Sequence, residues 1–128
     1  MIPLMNCPKC TAPMNPETYY DIEIDRCSNC SGFWFDTHEK HDLLKKEGIA
    51  AIDEGNAETG KIYNRVDRID CPRCKTQMIR MVDAKQPHIW HEECTVCGGS
   101  FLDAGEFRDL AEETFGDFVK SLFRKQRP

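Results

Sequence analysis

Eight cysteines fall in four Cys-x-x-Cys pairs: Cys7 and Cys10, Cys27 and Cys30, Cys71 and Cys74, Cys94 and Cys97. Two thiols at that spacing can turn onto one ion. Four thiolates complete the tetrahedron of a zinc ion and leave no position for water, which is the chemistry of a structural rather than a catalytic metal. Sixteen residues separate Cys10 from Cys27 and nineteen separate Cys74 from Cys94, against forty between Cys30 and Cys71. The two shorter loops suit a four-cysteine zinc site and cost less to close. The spacing predicts one site from Cys7, Cys10, Cys27 and Cys30, a second from Cys71, Cys74, Cys94 and Cys97, and two Zn2+ per chain. Disulfides, iron in the same ligands, and interleaved pairs are the alternatives.

Other groups with chemical potential have plainer explanations. Asp36 with Glu39, and Asp103 with Glu106, stand at the separation of a helix N-cap and its reciprocal partner, so they read as caps and not as an acid-base pair. His38 and His41 are three apart, whereas a metallopeptidase helix needs four. His88 and His91 flank Trp90 in an expected strand and read as surface residues. No catalytic constellation remains, and the expectation is a non-enzymatic protein. Lys61, Arg65, Arg68, Arg73 and Lys75 make residues 61–80 the one basic stretch of a chain of net charge -5 and the only candidate for nucleic-acid contact.

The pairs belong to a duplicated unit. Cys27-Ser28-Asn29-Cys30-Ser31-Gly32-Phe33-Trp34-Phe35-Asp36 aligns with Cys94-Thr95-Val96-Cys97-Gly98-Gly99-Ser100-Phe101-Leu102-Asp103. Upstream, Cys7-Pro8-Lys9-Cys10 aligns with Cys71-Pro72-Arg73-Cys74, each followed by a methionine, Met14 or Met78. Between the knuckles, Tyr20, Ile22 and Ile24 alternate with acids, and Ile79 to Val82 and His88 to Glu93 form a second strand pair with a turn near Pro87. Lys61 to Ile69 also alternates and reads as a strand. Helices are expected from Asp36 to about Glu47, closed by Gly48, and from Asp103 onward. Trp34 and Phe101 are expected to pack under the metal sites.

The fold class is thus a small metal-bound α+β chain of two tandem zinc ribbons, each a knuckle, a β-hairpin and a knuckle followed by an α-helix, the C-terminal helix being longer. The domains are 1–47, a linker at 48–60, and 61–128. Modules of this size cannot bury enough apolar surface to fold alone, and bound metal supplies the missing stabilisation. Along the second helix Phe115, Phe118, Val119, Leu122 and Phe123 continue an apolar stripe longer than a small ribbon can cover, a candidate contact for a protein partner or a homodimer. The N-terminus has neither the basic nor the apolar run of a signal peptide, and no stretch is long enough to span a membrane. A cytoplasmic chain with reduced thiols is expected.

The order C-P-x-C, strand, C-x-x-C-G-G, aromatic-Leu-Asp-x-Gly-Glu resembles the prokaryotic zinc-ribbon family named for its likeness to the N-terminal ribbon of transcription factor IIB. The resemblance covers Cys7 to about Leu44 and Cys71 to about Leu110. The second copy carries the full signature from Cys97 to Glu106, while the first has Ser31 and His38 where glycine is expected. The resemblance implies zinc binding and a ribbon fold. The functional expectation is an interaction module, a transcription-related regulator or adaptor. Nucleic-acid binding through 61–80 and a thiol-based redox or zinc-release switch are the alternatives.

Overall fold

A computed structural model describes residues 5–66, 68–82 and 89–114. In the first copy β1 (Met14–Tyr19) and β2 (Ile22–Cys27) form a hairpin closed by Tyr20 and Asp21, both at positive φ. Such a two-residue turn has the twist that antiparallel strands need. A short β3 (Phe33–Phe35) and α1 (Glu39–Leu44) follow. The second copy repeats the plan with β4 (Ile79–Val82), β5 (Trp90–Glu93), β6 (Ser100–Leu102) and a helix α3 described over residues 106–114.

The two copies share one antiparallel sheet of order β1-β2-β3-β6-β5-β4. They meet where β3 pairs with β6, Phe33 opposite Leu102, Trp34 opposite Phe101 and Phe35 opposite Ser100. Trp34 and Phe101 are equivalent positions of the repeat, so a pseudo-two-fold axis passes between them. Side chains alternate across the pleat. Trp34 and Phe101 therefore join the cysteines on one face, while Phe33, Phe35 and Leu102 join Leu43, Phe107 and Leu110 on the other.

The third strands were absent from the sequence expectation, which saw only aromatics beneath the metal. Each is three residues long, too short for a recognisable alternation, and each is completed by the other copy. Among the described residues of 61–69 there is no strand. Residues 61–64 instead finish α2 (Ala57–Asn64), whose first turn is capped by the Asn56 side chain accepting from the Glu58 N–H at 2.8 Å. The alternation misled because Ile62 is 62% exposed and faces no core. A 3-10 turn at Ile49–Ile52 occupies the expected linker.

Both repeat helices begin later than expected, at Glu39 and at 106. His38 and Gly105, with φ of 73° and 88°, hold the left-handed position before them. His91 is also corrected: it is 5% exposed, in the place that Ile24 fills in the first copy. The apolar stripe Phe115, Phe118, Val119, Leu122 and Phe123, His88 and the turn near Pro87 lie outside the described residues.

Candidate metal centres

Four equivalent turns present the cysteines. In each, the N–H of the first cysteine donates to a carbonyl five residues on: Cys7 to Ala12, Cys27 to Gly32, Cys71 to Thr76 and Cys94 to Gly99, at 2.8 to 2.9 Å. The residue after the second cysteine sits at positive φ every time: Thr11 (66°), Ser31 (63°), Lys75 (61°) and Gly98 (75°). Only one of the four is glycine, so three L-residues are held in a conformation that ordinarily disfavours them. Backbone N–H groups then point at sulfur: Lys9 at Cys7, Asn29 and Cys30 at Cys27, and Cys74 at Cys71, at 3.3 to 3.4 Å.

The sulfurs gather as the loop lengths require, Cys7, Cys10, Cys27 and Cys30 in one set and Cys71, Cys74, Cys94 and Cys97 in the other. Within each set all four Sγ atoms lie within 4.8 Å of one another. Three Sγ pairs lie at 3.8, 3.3 and 3.7 Å (Cys7 with Cys30, Cys10 with Cys27, Cys71 with Cys97). Sulfurs at ~2.3 Å from a tetrahedral zinc are about 3.8 Å apart, so the cages fit that ion. All eight cysteines are free, which sets the disulfide alternative aside, and the clusters are not interleaved.

Packed so closely, the thiols of each cage do not ionise alike. Hydrogen bonds from the Cys30 and Cys7 thiols hold Cys27 well below the usual thiol range, while Cys7 is driven up by hydrogen bonding with the Cys27 and Cys30 sulfurs that favours its thiol form and by burial. Burial also opposes the Cys94 thiolate, yet the N–H groups of Cys97 and Val96 and the thiols of Cys97 and Cys71 bring it to about 7. One thiol per cage is thus the readiest to lose its proton to a cation. When bound, zinc supplies the crosslink that ties two knuckles of a ribbon together.

Around the cages the copies exchange side chains. Lys9, inside the first knuckle, crosses to the second ribbon: its ammonium donates to Glu92 Oε1 at 2.7 Å, to Asp103 Oδ2 at 3.1 Å and to the Tyr63 carbonyl at 2.9 Å. Arg73, the equivalent residue of the second copy, crosses back to the first ribbon, with two hydrogen bonds to Asp36 and Asp25 at 3.7 Å. Asp36 and Asp103 therefore bind these cations and do not cap. Half of the expected capping box forms, as Glu39 accepts from the Asp36 N–H at 2.7 Å. The true cap of α3 comes from the linker, where buried Asp53 accepts from the N–H groups of Gly105 and Arg108 at 2.9 and 3.0 Å. Burial raises Asp103 to about 6 and Glu106 to about 8, each opposed by Lys9 and reinforced by neighbouring carboxylates.

The basic stretch is dispersed. Arg73 is bound to Asp36, and Lys61 lies on α2 beside Glu58 at 3.3 Å. Arg65, Arg68 and Lys75 are exposed. Arg80 turns inward to Glu92 at 3.2 Å and to the Asn64 carbonyl.

A family model described as "Transcription factor zinc-finger", a zinc ribbon of the transcription factor IIB type, matches residues 6–46 and 70–113. Comparison with curated proteins and with solved structures gave no match. The two matched segments coincide with the two copies of the repeat.

Proposed function

Starting from the fact that the chain belongs to the transcription factor zinc-finger family, with two copies of its zinc ribbon, we propose that it is a non-enzymatic protein-interaction module, a regulator or adaptor near the transcription machinery, working in the cytoplasm. The observation that carries this reading is the pair of closed four-cysteine cages beside an exposed apolar edge. A cage whose four ligands are all cysteine keeps no coordination position for a substrate. Ile79, Met81 and Val82 on β4 and Trp90 on β5 are each 36% to 46% exposed, and β4 is the last strand of the sheet among the described residues. A cavity of about 210 Å³ opens beside Trp90, lined also by Ile89, Lys61, Asn64 and Asp109. Val82 is paired with Trp90 and shares its face of the sheet, while Ile79 and Met81 lie on the other face. An exposed aromatic with an apolar neighbour on an open edge strand favours protein contact. No helix among the described residues is long and apolar enough to cross a membrane.

The reading is tested with the zinc-loaded chain, by light scattering for its mass and by tagged capture for partners. A homodimer, or one protein recovered in stoichiometric amount, is expected, and Val82→Lys with Trp90→Ala should abolish that contact. A strictly monomeric chain with no stoichiometric partner overturns it. Nucleic-acid binding through Lys61, Arg65, Arg68 and Lys75 is less supported, because Arg73 and Arg80 are committed to carboxylates. A salt-dependent shift on DNA or RNA would restore it.

A further inference from the structure

We infer that the two metal centres load and empty as one unit, coupled by side chains that each ribbon's first knuckle lends to the other ribbon. Lys9 lies between two ligands of the first cage, Cys7 and Cys10, and its ammonium is held by Glu92 and Asp103 of the second ribbon and by the Tyr63 carbonyl on α2. Arg73 lies between Cys71 and Cys74 of the second cage and grips Asp36 at the end of β3 in the first ribbon. A third link runs straight to a ligand residue, as the Thr37 hydroxyl donates to the carbonyl of Cys97.

The packing is reciprocal as well. A Cβ on Gly32 would lie 2.3 Å from the Phe101 ring, and one on Gly99 would lie 2.3 Å from the Trp34 ring. Each ribbon's aromatic thus rests against the other ribbon's second knuckle, two residues after a cysteine ligand. Both cages also belong to a single buried cluster centred on Trp34 and Phe101.

The consequence follows from what zinc does for a small ribbon. When the first cage is empty, nothing ties Cys7 and Cys10 to Cys27 and Cys30, and the turn that aims Lys9 is loosened. Two buried carboxylates of the second ribbon then lose their ammonium partner, and Trp34 loses the frame that presses it onto Gly99. The second cage is therefore a poorer host, and linkage makes the effect mutual. A chain with one ion must order its filled ribbon without the contacts that the other ribbon would lend, whereas in the doubly filled chain each ribbon supplies them to the other.

Native mass spectrometry of the full chain during zinc titration reads this intermediate directly. The one-zinc species is expected to stay well below its statistical share, and a colorimetric chelator should remove both ions in one kinetic phase. In the double variant Arg73→Gln/Thr37→Ala, which keeps all eight ligands and alters only exposed residues, the one-zinc share should rise and two release phases should appear. In Cys7→Ser/Cys10→Ser the remaining site should bind zinc about 5- to 150-fold more weakly, by chelator competition, than the second ion binds to the unaltered chain, the range of typical coupling between sites. A statistical share of one-zinc chains, an unchanged share in Arg73→Gln/Thr37→Ala, or an unchanged affinity in the cysteine variant would each overturn the coupling.

Discussion

Replacing Lys9 with methionine keeps an unbranched stem of similar length and removes the ammonium. The Lys9 and Glu92 side chains are 0% exposed and that of Asp103 is 1% exposed, so water cannot take the cation's place. Breaking a buried ion pair by deleting one partner costs roughly 3–5 kcal/mol, because the other charge is left uncompensated. Arg80 still reaches Glu92 at 3.2 Å, which places the loss near the lower end, about 3 kcal/mol. Arg73→Met is the matched control in the other copy. Its side chain is 47% exposed and that of Asp36 is 39% exposed, so solvent screens the pair and the loss should be at most about 1 kcal/mol. Urea unfolding at a fixed excess of zinc measures both, since bound metal itself shifts stability. With a slope of roughly 1.5 kcal/mol per molar urea, Lys9→Met should lower the midpoint by about 2 M and Arg73→Met by less than about 0.7 M. Adding Asp103→Asn to Lys9→Met should recover part of the loss by removing the charge that Arg80 does not partner. Equal shifts in the two single variants would refute the reasoning, for they would mean that burial of the Lys9 cluster does not govern its energetics.

Three further outcomes are expected. Burial, with Asp103 and Glu92 adding to it, lifts Glu106 from 4.5 to about 8, so the folded state binds that proton more tightly; its contribution is complete below pH 4.5 and is lost as pH rises through 8. Zinc-saturated protein should lose up to about 1.4 kcal/mol of stability per pH unit across about pH 6–8, and Glu106→Gln should flatten that slope in denaturation series; an identical slope would count against the assignment. Gly99→Ala places a methyl 2.3 Å from Trp34 and should destabilise by roughly 1–3 kcal/mol in thermal melts, with an unchanged melting temperature contradicting the close approach. Thr11→Gly relieves a β-branched residue at φ 66° and should stabilise by about 1 kcal/mol, while Thr11→Val should bring no gain in the same assay.

The metal ligands were legible in the sequence because chelation is local. Two cysteines three positions apart and a loop of sixteen or nineteen residues fix which thiols can reach one ion, whatever the rest of the chain does. The repeat and the Ile79 to Val82 strand were legible for the same reason: identity and alternation are written along the chain. Ser31 and His38, where the second copy has Gly98 and Gly105, take positive φ as those glycines do, a backbone state that the serine and histidine themselves did not announce. What the sequence misassigned were residues whose role depends on a distant partner. Asp103 stands at a capping distance from Glu106, yet its carboxylate answers to Lys9, 94 positions away, and the cap is given by Asp53, 52 positions before Gly105. His91 looked like a surface residue and is buried where the sheet meets its helices.

The tertiary structure decided how two like ribbons join. Neither third strand has a partner within its own copy on its free side, and the shape that satisfies both is the one in which they pair with each other about Trp34 and Phe101. Once that pairing is made, Lys9 and Arg73 are carried across the axis into the opposite ribbon. The sequence alone determined two metal cages, because a cage needs only nearby residues; only the folded sheet could place them in one core, because that placement depends on hydrogen bonds and charges that meet across the whole chain.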